Sequence, residues 1–168
     1  MTATLGWHRI IEPCWCPAAL ETYSADVQTE LAETAVVQPV VEVVASTRTG
    51  IAGYTTYRLS LALSERAGSV YTIFGRADSE MLMPPAYQVA TPFGVDVGGV
   101  PPAFFPFGDS EFDSWLTVGL TEGNSGELAL SPGFGIEAWT ADSSFETDNG
   151  SVFWMSPDSG PTEVTAFV

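Results

Sequence analysis

His8, Cys14 and Cys16 are the residues in which nucleophilic or metal chemistry would first be sought, and all three fall in the first sixteen positions of a 168-residue chain. A Ser or Cys nucleophile needs a nearby base, usually a histidine. His8 is the sole histidine and lies ahead of the segments that read as folded. The cysteines sit in Pro13-Cys14-Trp15-Cys16-Pro17. A bridge across one intervening residue closes a small, strained ring, so bridges to neighbouring subunits and two free thiols stand beside it as alternatives. A zinc or redox centre would need more ligands, and only His8 and Glu12 are close in sequence. No Gly-x-Ser-x-Gly elbow occurs, and no phosphate loop is possible without a lysine, of which the chain has none. Glycoside hydrolysis needs only two carboxylates and stays formally open, but no spacing isolates one pair among twenty-one Asp and Glu. The expectation is a non-enzymatic protein with no catalytic residues.

Oxygen-rich segments offer a different chemistry. Asp109-Ser110-Glu111-Phe112-Asp113 alternates oxygen donors, and Asp142-Ser143-Ser144 runs on to Glu146 and Asp148. Calcium takes six to eight oxygens from such loops, which makes Asp109, Glu111 and Asp113 the candidate ligands and calcium the one candidate cofactor. Neither segment matches an EF-hand, and aspartates that cap turns through their own backbone account for the same pattern. Asn149-Gly150-Ser151 is a glycosylation sequon, and Asn-Gly is equally the preferred two-residue hairpin turn.

The charge balance narrows the partners. Five arginines are the only Lys or Arg residues, and the net charge is −16. Phosphate backbones and anionic membrane surfaces would repel such a chain, so no nucleic-acid partner is expected. No run approaches the length of apolar residues that crosses a bilayer, so no membrane insertion is expected. The first twenty residues lack a basic start followed by an apolar stretch. That leaves an intracellular chain, a mature product, or part of a longer one.

Elements able to position these groups are mostly strands. Residues 1–33, with His8, both cysteines and a mildly helical stretch from Pro17 to Glu33, read as an N-terminal extension expected to mediate assembly contacts. Residues 34–168 read as one β-domain of short segments separated by Gly, Pro, Asp and Ser. Val36 to Val44 is nearly all β-branched, and Pro39 assigns it to a sheet edge. An apolar edge invites pairing with another chain, which makes Val36, Val37, Val40 and Val41 candidate contact residues. Tyr54 to Ser64 alternates, with Tyr57, Leu59, Leu61 and Leu63 on one face and Thr56, Arg58 and Ser60 on the other. Further strands are expected at Ser69 to Gly75, Tyr87 to Thr91, Trp115 to Leu120, Gly135 to Trp139, Ser151 to Met155 and Thr162 to Val168. The fold class is therefore all-β, an antiparallel β-sandwich of jelly-roll or Ig-like type with about eight strands. An apolar loop comprises Met81 to Ala86 and Gly98 to Phe107. Its Phe104, Phe105 and Phe107 must cap the domain or pack on a neighbouring subunit, since leaving such a side chain in water forgoes about 1.5–3 kcal/mol.

Phe112-Asp113-Ser114-Trp115-Leu116-Thr117-Val118-Gly119, Gly150 to Pro161, Pro84-Pro85-Ala86-Tyr87-Gln88 and Pro92-Phe93-Gly94-Val95 carry a resemblance. Over residues 50–168 the chain resembles a repeat domain of secreted or self-assembling structural proteins of marine and freshwater algae and bacteria. The chain departs from their tandem pattern in having one copy and an N-terminal extension. The resemblance implies a structural subunit of an extracellular filament or of a shell such as surrounds the algal pyrenoid, with further copies of itself as partner and no catalytic residues to carry over. A location outside the cell or at its surface follows, with the plastid pyrenoid shell as alternative. The rival expectation is a carbohydrate-binding or calcium-dependent adhesion module presenting Trp115, Trp139 and Trp154 to glycans.

Overall fold

A computed structural model describes the backbone path of residues 4–10, together with residues 37–46, 48–64 and 66–161. These residues are mostly β, in two antiparallel three-stranded sheets, with no α-helix among them. The first sheet has the order β1-β3-β2, from Thr4–Ile10, Tyr54–Leu63 and Val37–Ala45. The second has the order β4-β6-β5, from Thr72–Met83, Phe145–Trp154 and Leu128–Leu130.

β2 and β3 form where the β-branched run and the alternating run lie. Val41 pairs with Leu59, Val43 with Tyr57 and Pro39 with Leu61, which gathers the apolar residues of both strands on one face. β3 is central, as its alternation requires, and a bulge between Val43 and Ala45 ends the regular register. β1 lies within the segment that reads as an extension, yet Thr4 pairs with Ser60 and Ile10 with Tyr54, so seven of its residues belong to the sheet.

The main core lies against the second sheet and is walled largely by irregular chain. Phe145 and Val152 of β6 and Met81 of β4 pack with Ala86, Leu116, Val118, Phe134, Ile136 and Trp139 from the connections. The first sheet meets this body through Tyr54, whose ring stands edge-on to Tyr87 at 5.1 Å. A second meeting point is at Gly50, where a Cβ would lie 3.2 Å from that of Ala45 and 3.3 Å from the Phe112 ring.

Six strands, rather than about eight, occur among the described residues. Tyr87 to Thr91 is loop, and Gly135 to Trp139 contains a 3-10 turn at Ile136–Ala138. Trp115 to Leu120 forms no extended strand: its bridging is confined to Trp115 and Leu116, the latter parallel to Val97. Conversely, Met81 to Met83 is not loop: it closes β4 against Thr147 to Phe145. Alternation misleads at these places because the connections are buried, and buried loops are as apolar as strands. Thr162 to Val168 lies outside the described residues.

Leu116 is fully buried at the centre of this loop-built core. Leu116→Ala is expected to lower stability by about 3 kcal/mol, read as a lower denaturation midpoint in urea.

Candidate assembly surface

β2 is an edge strand: one side pairs with β3, and among the described residues nothing pairs with the other. Its side chains carry the exposure that the edge implies. Val41 is 53% and Val43 62% exposed, and Val37 and Val44 are also exposed, while Val40 is half-buried. Pro39 has no N–H to give, so it occupies a position where that lack costs the β2–β3 ladder nothing. Glu42, the one charge on β2, stands opposite Arg58 of β3. Val36 lies outside the described residues.

The edges of the second sheet differ. β4 passes from Arg76, opposite Asn149, to Met81, opposite Thr147, so four residues, Ala77 to Glu80, oppose Asp148 alone. That bulge carries Asp78, ion-paired to Arg76 at 2.6 Å, and Glu80. Charges and a bulge blunt an edge. β5 is three residues long.

The phenylalanine loop packs largely on itself. Phe93 stacks on Phe107, with ring centroids 5.1 Å apart, and meets Phe104 edge-on at 5.9 Å. Phe105 and Phe107 nevertheless keep 39% and 49% of their surface in water.

Asp113, read as a calcium ligand, is buried and spends its carboxylate on backbone. Oδ1 accepts the N–H of Val89 at 2.8 Å and Oδ2 that of Val95 at 2.6 Å. Gly94 is required there, because a Cβ would run into the Val89 carbonyl and reach 3.0 Å from Asp113 Oδ2. Asp109 and Glu111 are exposed, with Asp109 in the left-handed region at φ 62° ahead of a 3-10 turn. Among the described residues no three His, Cys, Asp or Glu side chains converge as a group able to hold a metal. The Asp109–Asp113 segment is thus brought together as a turn anchored by a carboxylate. Cys14 and Cys16 lie outside the described residues.

Asn149 is exposed, but Asn149-Gly150 is not a turn: both residues lie within β6, opposite Arg76 and Gly75. Gly150 sits under the Phe134 ring, where a Cβ would approach Cδ2 to 2.6 Å, so close packing rather than turn geometry requires the glycine.

A feature that sequence spacing missed is the carboxylate group at the β4 bulge. Glu80 and Glu146 share a side-chain hydrogen bond, and that bond, the Glu146 charge and the Asp148 charge hold the Glu80 carboxyl above its ordinary range. They line a shallow groove of about 570 Å³ beside Phe134 and Phe145. Only the β4–β6 register joins these residues, so no local motif could reveal them. A hydrogen-bonded pair is closer than the roughly 5–9.5 Å separation of glycosidase carboxylates.

The tryptophans face inward: Trp139 Nε1 donates to the Pro84 carbonyl and Trp154 Nε1 to that of Val118, both at 2.7 Å. Trp115 is half-buried. No helix among the described residues is long and apolar enough to cross a membrane. Comparison with protein families, curated proteins and solved structures finds no match.

Burial pushes the Asp113 carboxyl up from 3.8 to about 6, against the N–H groups of Val95, Val89 and Ser114 that pull it down. Asp96 is raised in the same direction by burial and by the Glu137 charge. An acid with a raised pKa in the fold binds its proton more tightly there than in the unfolded chain. Its contribution is full below the unfolded value and is lost as pH rises through the folded one. For Asp113 this is on the order of 3 kcal/mol between about pH 4 and pH 7. Exposed Glu127 shifts the other way, chiefly through its hydrogen bond from Ser125. Melting temperature is therefore expected to rise as pH falls from about 8 to about 5. Asp113→Asn, which carries no titrating proton, should flatten that profile, as melting curves across the same pH range would read.

Proposed function

We propose that this chain is a non-enzymatic structural subunit that assembles with copies of itself into a filament, sheet or shell. Its two sheets serve as a β-sandwich-like frame, and its place is outside the cell or in a pyrenoid-type shell. The observation that carries the reading is β2: a nine-residue edge strand with exposed Val37, Val41, Val43 and Val44. An exposed, extended, apolar edge is a template for pairing with another chain. Phe105 and Phe107 add a second exposed apolar surface, and a subunit needs two distinct contacts to propagate beyond a closed pair.

The resemblance of residues 50–168 to self-assembling structural domains points the same way. A carbohydrate-binding module would call for tryptophans laid flat on one face. Trp139 and Trp154 instead spend their indole N–H groups inside the fold.

Negative-stain electron microscopy of the purified chain over a range of concentration and salt tests the proposal. Polymers or sheets that grow with concentration, and with salt that screens the net charge of −16, are the expected result. Isolated particles at every concentration and salt would sink it.

A further inference from the structure

The acidity of the chain is unevenly distributed, and this bears on how two copies can meet. From Val37 to Leu63 there is one carboxylate, Glu42, against two arginines, Arg48 and Arg58, whereas residues 64–168 hold fifteen carboxylates and two arginines, and residues 1–36 hold five carboxylates and one arginine. In a chain of net charge −16, close approach of two copies is least opposed where carboxylates are scarce. Among the described residues that place is the first sheet, which has two edges: β1, seven residues long and carrying Arg9, and β2, nine residues long with its exposed valines.

We infer that β2 pairs antiparallel with β2 of a second copy about a two-fold axis, joining the two first sheets into a six-stranded sheet of order β1-β3-β2-β2-β3-β1. This rests on the self-assembly reading and names one of its contacts. Pro39 sets the register. Lacking a donor, it takes a ladder position whose N–H would point away from β3, so Val37, Val41 and Val43 turn their backbone groups to the same free side. A two-fold through Val41 sets Val41 opposite its own copy, where both N–H and both C=O groups pair. It sets Val43 opposite the partner's Pro39, whose carbonyl still accepts. Centring on Pro39 would instead oppose two residues without donors, and centring on Val43 would run into the bulge before Ala45. The opposed Val41 side chains then cover each other, as cross-strand β-branched pairs do.

Sedimentation velocity of the intact chain reads the contact. The wild type is expected to form a reversible dimer or larger species that tightens with added salt. Val41→Lys should weaken that association by about tenfold or more, since a charge on an edge strand opposes pairing. Leu82→Lys, on the blunted β4 edge, should leave it unchanged. Pro39→Val restores the missing donor and should tighten association several-fold, which decides the matter even if Val41→Lys fails to fold by circular dichroism. A wild type that stays monomeric in high salt, a folded Val41→Lys that associates normally, a Leu82→Lys that abolishes association, or a Pro39→Val that does not tighten it would each overturn the inference. If Val41→Lys still forms polymers by microscopy, the β2 contact fails while self-assembly stands. If the wild type forms only closed dimers, the contact stands and the polymer reading fails.

Discussion

Backbone N–H and C=O groups buried in irregular chain have no ladder to satisfy them, and this structure is organised around that constraint. Each unpaired buried group would cost about 1–3 kcal/mol, and the main core is walled by connections that need many such pairings. Side chains supply them. Asp113 takes the N–H groups of Val89 and Val95. Asn124 bridges the turn before β5, accepting from Gly126 and Leu128 and donating to the Leu128 carbonyl. Thr117 and the indoles of Trp139 and Trp154 cap carbonyls of the same connections. Ser60 is the exception: it is buried in β3 with no partner for its hydroxyl among the described residues.

The two sheets consequently differ in character. The second is covered by loops pinned through these bonds, and its edges are short or interrupted by a charged bulge. The first keeps an apolar face in which Leu63 is buried while Val41 and Val43 stand in water. Its ties to the rest run through the Tyr54–Tyr87 rings and the close approach at Gly50. Between Val37 and Leu63 carboxylates are scarce, and it is there that the exposed valines of β2 stand.

How much of this was legible in the sequence depended on what a residue could reveal locally. β2 and β3 were readable because β-branched runs and strict alternation have few other uses, and Pro39 marked the edge correctly. Ser151 to Met155 was found as part of β6, but its first half was hidden, because Glu146 to Gly150 is polar and contains an apparent turn signal. Segments around Tyr87, Trp115 and Ile136 looked like strands because burial makes loops apolar. The Asp109–Asp113 cluster showed that oxygens gather there, yet not that Asp113 turns inward to backbone two loops away. The Glu80–Glu146 pair depends on a register across more than sixty residues, which no spacing rule encodes.

In three dimensions the segment Phe112 to Gly119 is the clasp of the fold. Asp113, Ser114, Leu116, Thr117 and Val118 are all buried, and Gly119 holds a φ of 85° with Pro161 packed against it. A change anywhere in that stretch is therefore felt by the whole frame, whereas the strip of valines along β2 can change with little effect on folding.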